Sequence, residues 1–295
     1  MNPLRTMLFV PGNRVDRVDK ALSLDADAII IDLEDSVPIS EKEKARELTG
    51  DLIKRAKRKN LYVRINGLGT GYVEGDISAV ANKALQGIVL PKAEKREDII
   101  KICELLNRAE KEADLEQGSI KVIPIVESAL GMEMIYEIAS ARPSIPRVKT
   151  IAFGAADYSL DLGISLSKEG TELLYPRARM AVACRAGGLE PPIDTPWMID
   201  IQDVDGLIAD AKRAKALGFQ GKLVIHPSQI KPVNEVFTPS QEEIEQSMRI
   251  MQAFEQAERT GTAAVVLDGK FIDYPVVERA RRTIELWKAI GGNID

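Results

Sequence analysis

Eight short apolar runs, each followed by a helical stretch, constrain this 295-residue chain more than any other feature. The runs are Thr6–Val10, Ala28–Asp32, Leu61–Ile65, Gly87–Leu90, Lys121–Val126, Thr150–Phe153, Pro191–Asp194 and Lys222–Ile225. Continuous apolar runs without polar alternation suit parallel strands buried on both faces. Apolar spacing between them predicts helices, for example Glu41–Arg58, Arg96–Ala113 and Val204–Leu217, the last followed by Gly218 as its C-cap. Eight βα units in succession predict a closed (β/α)8 TIM barrel over an open doubly wound sheet. The seventh run is the weakest strand, because Pro191 and Pro192 crowd it. A hydrophobic content of 45% is ample for one large core.

The barrel's last helix is expected to start at Thr238, with Thr238 as N-cap, Pro239 at N1 and Gln241 completing a capping box. Beyond it, Ala263–Leu267 and Phe271–Ile272 flank Asp268-Gly269, a hairpin turn signal. A helix over Pro275–Ile290 follows, with apolar Val276, Val277, Ala280, Ile284 and Trp287. The expected division is a barrel catalytic domain over residues 1–260 and a C-terminal lid or arm over 261–295. No internal repeat beyond the βα alternation and no low-complexity linker interrupts it.

A net charge of −5 and a pI near 5.3 argue against non-specific nucleic-acid binding. The one basic run, Lys54 to Lys59, reads as a solvated helix C-terminus favoured by the helix dipole, with a landing patch for an acidic partner as the alternative. Cys103 and Cys184 fall in helices without metal-type spacing, which fits a reducing compartment. The chain enters a strand within a few residues, leaving no room for a signal peptide. No apolar run approaches the roughly 18 residues of a membrane helix. The expectation is a cytoplasmic protein with no membrane or nucleic-acid partner.

The polar residues at the ends of these runs carry the chemistry. Glu127 follows the fifth run and Asp157 the sixth, Arg64 closes the third, and Asp32, Glu34 and Asp35 cluster at the second. A TIM barrel assembles its site from such strand ends. Two carboxylates without a nearby histidine suit a hard, oxygen-liganded ion such as Mg²⁺. Arg64 can clamp a carboxylate or an enolate oxygen, or form a structural ion pair with Asp32 or Glu34. Glu127 and Asp157 have an alternative as helix N-caps, although Ser128 can serve in place of Glu127. Backbone N–H groups over Gly154-Ala-Ala-Asp157 can cradle a substrate carboxylate. Gly67-Leu-Gly-Thr-Gly71 follows a strand but lacks the third glycine of a dinucleotide fingerprint, and reads as a loop. His226, the only histidine, is either a base or a hydrogen-bonded structural residue. Lys92 is either a Schiff-base lysine or an ion-pair partner.

Six stretches occur in order: LFVPGN (Leu8–Asn13), IDLEDSV (Ile31–Val37), VRIN (Val63–Asn66), VLPKAE (Val89–Glu94), IVESALG (Ile125–Gly131) and FGAADY (Phe153–Tyr158). They resemble the citrate lyase β-subunit group of the HpcH/HpaI aldolase/citrate lyase superfamily. EGTELLYPR (Glu169–Arg177) and DGKFIDYPVVERAR (Asp268–Arg281) narrow the resemblance toward the citrate lyase β subunits themselves. The resemblance implies a Mg²⁺-dependent carbon–carbon lyase that cleaves a citryl thioester, on acyl carrier protein or CoA, to oxaloacetate and an acetyl thioester. Alternatives are a malyl-CoA or citramalyl-CoA lyase, a class II aldolase acting on pyruvate, and a non-catalytic scaffold. By position, Glu127 and Asp157 match the metal ligands, and Arg64 the residue that stabilises the oxyanion or enolate. Asp273 matches an acid that relatives supply from a neighbouring subunit. Glu34 and Asp35 are candidates for the hydroxyl's base, or instead hold metal-bound waters or orient Arg64. Pro11, Gly12, Asn13 and Arg14 are expected to face the pantetheine arm. The resemblance further implies a homotrimer or a multiple of one, and an acyl carrier protein and a transferase subunit as partners. Two positions depart from the pattern of many members: Ala156 stands where they have Glu, and His226 where they have Asn.

Overall fold

The computed structural model describes residues 3–57 and 60–293. Eight parallel strands close into a barrel in sequence order: β1 (Thr6–Pro11), β2 (Ala28–Asp32), β3 (Leu61–Arg64), β4 (Gly87–Leu90), β5 (Lys121–Val126), β6 (Ala152–Phe153), β7 (Ile193–Asp194) and β8 (Gly221–Val224). β1 pairs with both β2 and β8, which closes the ring. The (β/α)8 barrel expected from the apolar runs is therefore the observed fold.

The helices are α1 (Val15–Ala21), α2 (Lys42–Arg55), α3 (Val73–Val80), α4 (Arg96–Glu112), α5 (Ala129–Glu133), α6 (Ile135–Ala139), α7 (Ala155–Leu162), α8 (Leu174–Ala186), α9 (Val204–Ala216), α10 (Ile230–Phe237), α11 (Gln241–Arg259) and α12 (Tyr274–Ala289). Gly218 stops α9 as expected: its φ is +100°, and the next N–H, of Phe219, donates back to the Ala214 carbonyl at 3.1 Å. α2 ends at Arg55, short of the expected Arg58. Lys54 and Arg55 in its last turn pair with Asp51 and Asp19, while Arg58 and Lys59 of the basic run lie outside the described residues. No described helix is long and apolar enough to cross a membrane. Cys103 and Cys184 are buried free thiols in α4 and α8.

One buried cluster draws on all eight strands: Met7, Ala28 and Ile30, Tyr62, Val89, Ile123 and Ile125, Ala152, Ile193 and Leu223. Residues from every strand meet only in the barrel's interior, so this cluster fixes which strand face looks inward. Their neighbours, such as Ile29, Ile31, Val63 and Ile88, are equally buried but face the helices. Burial on both faces explains the unbroken apolar runs. β7 is shorter than its run because Pro191 and Pro192 have no N–H to donate. The first ladder donor is Ile193, which reaches the Ile151 carbonyl at 2.9 Å.

The chain forms two compact units, Leu4–Asn234 and the described residues from Glu235 onward together with Pro3. In the second unit the expected helix start at Thr238 is corrected. α10 runs through Phe237, and the N-cap of α11 is Ser240. Ser240 Oγ accepts the Glu243 N–H at 3.1 Å, and the Glu243 carboxylate accepts the Ser240 N–H at 2.8 Å. A serine with a carboxylate three residues on satisfies two end amides at once. The hairpin forms as expected from β9 (Val265–Leu267) and β10 (Lys270–Ile272). Asp268 and Gly269 between them have φ of +50° and +76°, the two positive values of a type I′ turn. α12 buries Val277, Ala280 and Ile284, and Phe254 of α11 joins Ile272 and Val277 in a small apolar core.

Candidate active site

Residues two apart on a strand face the same way. The inward phase of Ala28 and Ile30 continues to Asp32, that of Tyr62 to Arg64, that of Ile123 and Ile125 to Glu127, and that of Ala152 to Gly154. All the strands are parallel, so these residues leave the packed interior at the same rim. The register agrees, with Pro11 opposite Asp32 and Asp32 opposite Arg64.

Arg64 is the centre of the rim. Its Nε and one terminal nitrogen donate to the two oxygens of Asp32, both at 2.7 Å, in a bidentate pair. Its other terminal nitrogen lies 3.1 Å from Glu34 Oε2, and the guanidinium stacks 4.7 Å from the centre of the Phe9 ring. Asp32 also accepts the N–H groups of Glu34 and Ser36, at 2.9 and 3.1 Å, which pins the loop after β2. Burial opposes the charge on Arg64, but the hydrogen bonds and charge of Asp32 outweigh it and raise the guanidinium's pKa. Burial likewise opposes the Asp32 carboxylate, and Arg64 overcomes it and lowers that pKa. The ion-pair reading of Arg64 with Asp32 and Glu34 is the one its geometry matches. Asp32 holds the arginine, and donors on the terminal nitrogens remain for a ligand.

Glu127 is 7% exposed. Its Oε1 accepts the backbone N–H of Lys92 at 2.7 Å. Gly154 makes room for it: a Cβ there would lie 2.6 Å from Glu127 Cβ and closer still to Oε2. Burial, helped by the nearby negative charge of Asp157, pushes the Glu127 carboxyl up to about 7. Glu127 is not an N-cap. Ser128 takes that place and accepts the Gly131 N–H at 3.1 Å. Asp157 is not an N-cap either, because Gly154 occupies the position and Asp157 lies in the first turn of α7, where the helix dipole favours a carboxylate. Of the N–H groups in this turn, that of Ala155 is committed to Thr195 Oγ1 at 3.0 Å, so the cradle expected here rests on Ala156 and Asp157.

Lys92 ties the two halves of the rim together. Its Nζ lies 2.6 Å from Glu34 Oε1 and 3.7 Å from carboxylate oxygens of both Asp35 and Asp157. The ion-pair reading of Lys92 is the one its geometry matches. Glu34 is gripped by cations on both oxygens, yet its pKa is raised, because burial and the charge of Asp35 outweigh Arg64 and Lys92.

Pro11 to Arg14 leave β1 beside this cluster. Gly12 donates to the Asp32 carbonyl at 2.8 Å and packs so closely that a Cβ would meet Thr49 Oγ1 at 2.8 Å. Asn13 bonds Glu41, and Arg14 pairs with Asp16 on the exposed side of the loop. Gly67–Gly71 is a loop with positive φ at Gly69 and Gly71. His226, at the end of β8, is exposed and its Nδ1 is 2.8 Å from Ser228 Oγ, a local structural bond. Asp273 belongs to the second unit. It caps α12, accepting the Val276 N–H at 3.3 Å. Sequence reasoning named Lys92 as an ion-pair partner but not as a junction between strand ends, and it missed Gly154 as a spacer. Gly154 keeps the inward phase of Ala152, whereas Lys92 lies out of phase with Val89.

The donor set fits a hard divalent cation. Among the described residues no ready-made cluster of three or more His, Cys, Asp or Glu ligands exists. Glu127 and Asp157 instead form a carboxylate pair in which one member is held up to about 7 by burial and by the other's charge. Mg²⁺ is typically bound by one or two carboxylates, with water and substrate oxygens completing its shell.

The model of the HpcH/HpaI aldolase/citrate lyase family matches residues 5–227. The chain is 34% identical to the citrate lyase subunit beta of Haemophilus influenzae over 287 residues, 97% of each chain. It is 32% identical to the mitochondrial citramalyl-CoA lyase of Homo sapiens, over 98% of this chain and 86% of that one. A crystal structure of the protein CitE from Mycobacterium tuberculosis in complex with magnesium, acetoacetate and coenzyme A superposes with a TM-score of 0.76 at 30% identity, covering 96% of this chain and 97% of that one. Matching over the barrel and along nearly the full length of such relatives, the chain belongs to the HpcH/HpaI aldolase/citrate lyase family.

Proposed function

We propose that this protein is a Mg²⁺-dependent carbon–carbon lyase that cleaves a citryl thioester, on CoA or acyl carrier protein, to oxaloacetate and an acetyl thioester. The observation that carries the reading is the juxtaposition at one rim of a permanently charged, carboxylate-oriented Arg64 and the carboxylate pair Glu127 and Asp157. Glu127 and Asp157 would hold the cation, whose chemistry is to polarise the hydroxyl and carboxylate oxygens of the substrate. The substrate's tertiary hydroxyl gives its proton to Glu34, and its oxygen becomes the ketone of oxaloacetate as the carbon–carbon bond breaks. The bond's electron pair passes to the departing acetyl thioester as an enolate, whose oxygen Arg64 stabilises with its remaining N–H donors. Asp273 returns a proton to the enolate carbon. In this reading residues 261–295 form an arm that brings Asp273 to the barrel 1–260 of a neighbouring copy in a homotrimer. The amides of Ala156 and Asp157 hold a substrate carboxylate, and Pro11, Gly12, Asn13 and Arg14 flank the pantetheine. The setting is cytoplasmic, with an acyl carrier protein and a transferase subunit as partners.

A second reading keeps this machinery and changes the acid, to malyl-CoA or citramalyl-CoA. It draws on the 32% identity to the human citramalyl-CoA lyase, close to that of the citrate lyase relative. The test is to assay the protein with Mg²⁺ on citryl-CoA, (S)-citramalyl-CoA and (S)-malyl-CoA and to follow the released keto acid. Preferential oxaloacetate release from citryl-CoA is expected. Preference for another thioester selects the second reading. Cleavage of a 4-hydroxy-2-oxo acid with no action on any thioester would favour the class II aldolase acting on pyruvate.

A further inference from the structure

Among the described residues, Lys92 is the one non-glycine residue at the rim with a left-handed backbone, at φ +54°. Among the described residues the other non-glycine positions with positive φ are Asn60, Asp114 and Asp268, types that tolerate this region. A lysine there carries strain, and strain of this kind persists where the surroundings impose it. The surroundings are specific. The turn aims the Lys92 N–H at Glu127 Oε1, at 2.7 Å, and sends the side chain back over the rim to Glu34 at 2.6 Å. One residue on the fourth strand end thereby touches acids from the second, fifth and sixth.

Resting on the metal-dependent reading above, we propose that Lys92 is a positioning residue with two separable duties. Its amide orients Glu127, and its ammonium serves as the rim's internal counter-cation, competing with the divalent ion for Asp157 while holding Glu34 against Arg64. The charge argument fixes a sign. An ammonium 3.7 Å from Asp157 lowers the affinity of that carboxylate for a second cation. Removing the charge without removing the amide therefore tightens cation binding and leaves Glu34 Oε1 without the partner that fixes its orientation. A merely structural lysine gives the opposite sign, because loosening the rim weakens the ion's site.

Three variants separate the duties: Lys92→Met removes the charge, Lys92→Gly removes it and relaxes the left-handed turn, and Lys92→Arg keeps it. Mn²⁺ binding to each, read by electron paramagnetic resonance at pH 8, gives an affinity that does not depend on turnover. Wild type and Glu127→Gln are measured first. Binding that is lost in Glu127→Gln supports the metal reading, whereas no binding by wild type overturns that reading and Lys92's role with it. Given binding, Lys92→Met and Lys92→Gly should tighten Mn²⁺ about tenfold, about one charge–charge interaction at a partly screened rim. Lys92→Arg should return the affinity toward wild type. With the thioester found to be cleaved, kcat should fall at least tenfold in Lys92→Met with KM little changed, since Glu34 and not substrate binding is disturbed. Unchanged or weaker Mn²⁺ binding in both uncharged variants, with the fold intact by circular dichroism, would overturn the proposal while leaving the metal reading in place.

Discussion

In the barrel unit, ionic clusters are built on both faces of the same sheet, one buried and one partly open. At the sheet–helix interface, Lys222 of β8 and Asp194 of β7 point away from the interior and meet Arg177 of α8 and Asp210 of α9. Arg177 grips both oxygens of Asp194, at 2.9 and 3.0 Å, and Lys222 bonds both aspartates. Two buried cations face two carboxylates, none more than 5% exposed, and the partly exposed Arg213 approaches Asp210 at 3.5 Å from the outside. At the rim, five carboxylates (Asp32, Glu34, Asp35, Glu127 and Asp157) share two cations, Arg64 and Lys92. The buried core of the first cluster is balanced and closed, with each aspartate bonded to both cations, so it has no carboxylate to spare for another cation. The second is short of positive charge and partly open, which is the electrostatic form of a cation site. Burial of ions alone therefore does not mark function in this barrel. The imbalance does.

Substitutions should move the two clusters in opposite directions. The largest effect is expected at the rim. Glu127→Gln and Asp157→Asn should each lower Mg²⁺-dependent turnover by about a thousandfold or more, roughly 4 kcal/mol, and either variant retaining wild-type rate at low Mg²⁺ would remove that residue from the metal pair. In the balanced cluster, Asp194→Asn leaves two buried cations short of a partner and should cost about 3–5 kcal/mol in urea unfolding. A cost below 1 kcal/mol would show the quartet to be dispensable. Acid should find the same weakness more gently. Arg177 and Lys222 outweigh burial and hold Asp210 down to about 2. A carboxyl lowered in this way stabilises the fold above its ordinary pKa and loses that contribution as pH falls from about 4 toward 2, up to roughly 2 kcal/mol. Asp210→Asn should flatten that stretch of the stability–pH curve. The smallest effect has the reverse sign. Without added metal, Glu127→Gln should stabilise the fold at pH 8 by about 1 kcal/mol, because it relieves a carboxylate that burial disfavours. A lower Tm would mean that Glu127 is structurally satisfied.

Asp273 offers a cleaner separation. It caps α12, and Asn caps as well as Asp, so Asp273→Asn should leave stability nearly unchanged while crippling turnover. If the arm acts in trans, mixing Asp273→Asn with Glu127→Gln protomers should restore part of the activity. Failure under proven subunit exchange would assign Asp273 to its own chain or to capping alone.

The legibility of these features in the sequence follows from how local they are. The eight strands were readable because burial on both faces writes an unbroken apolar run. Asp32, Arg64 and Glu127 were readable because each is the polar residue that ends such a run. The Asp268-Gly269 turn announced its positive φ values by its residue types. The start of α11 was misplaced by two residues because Thr238-Pro239 and Ser240 both carry capping chemistry, and only the extent of α10 decides between them. The balanced quartet left little trace. Lys222 and Asp194 look like strand ends in sequence, and their partners lie on helices that only the fold brings near. The left-handed turn at Lys92 had no signal either, since lysine is not a residue that turn would select.

The most direct test is the anomalous diffraction of Mn²⁺ in crystals of the wild-type protein. The account predicts a peak in contact with the carboxylates of Glu127 and Asp157, absent from Glu127→Gln crystals grown alike. No peak there, or one held by other residues, would contradict it.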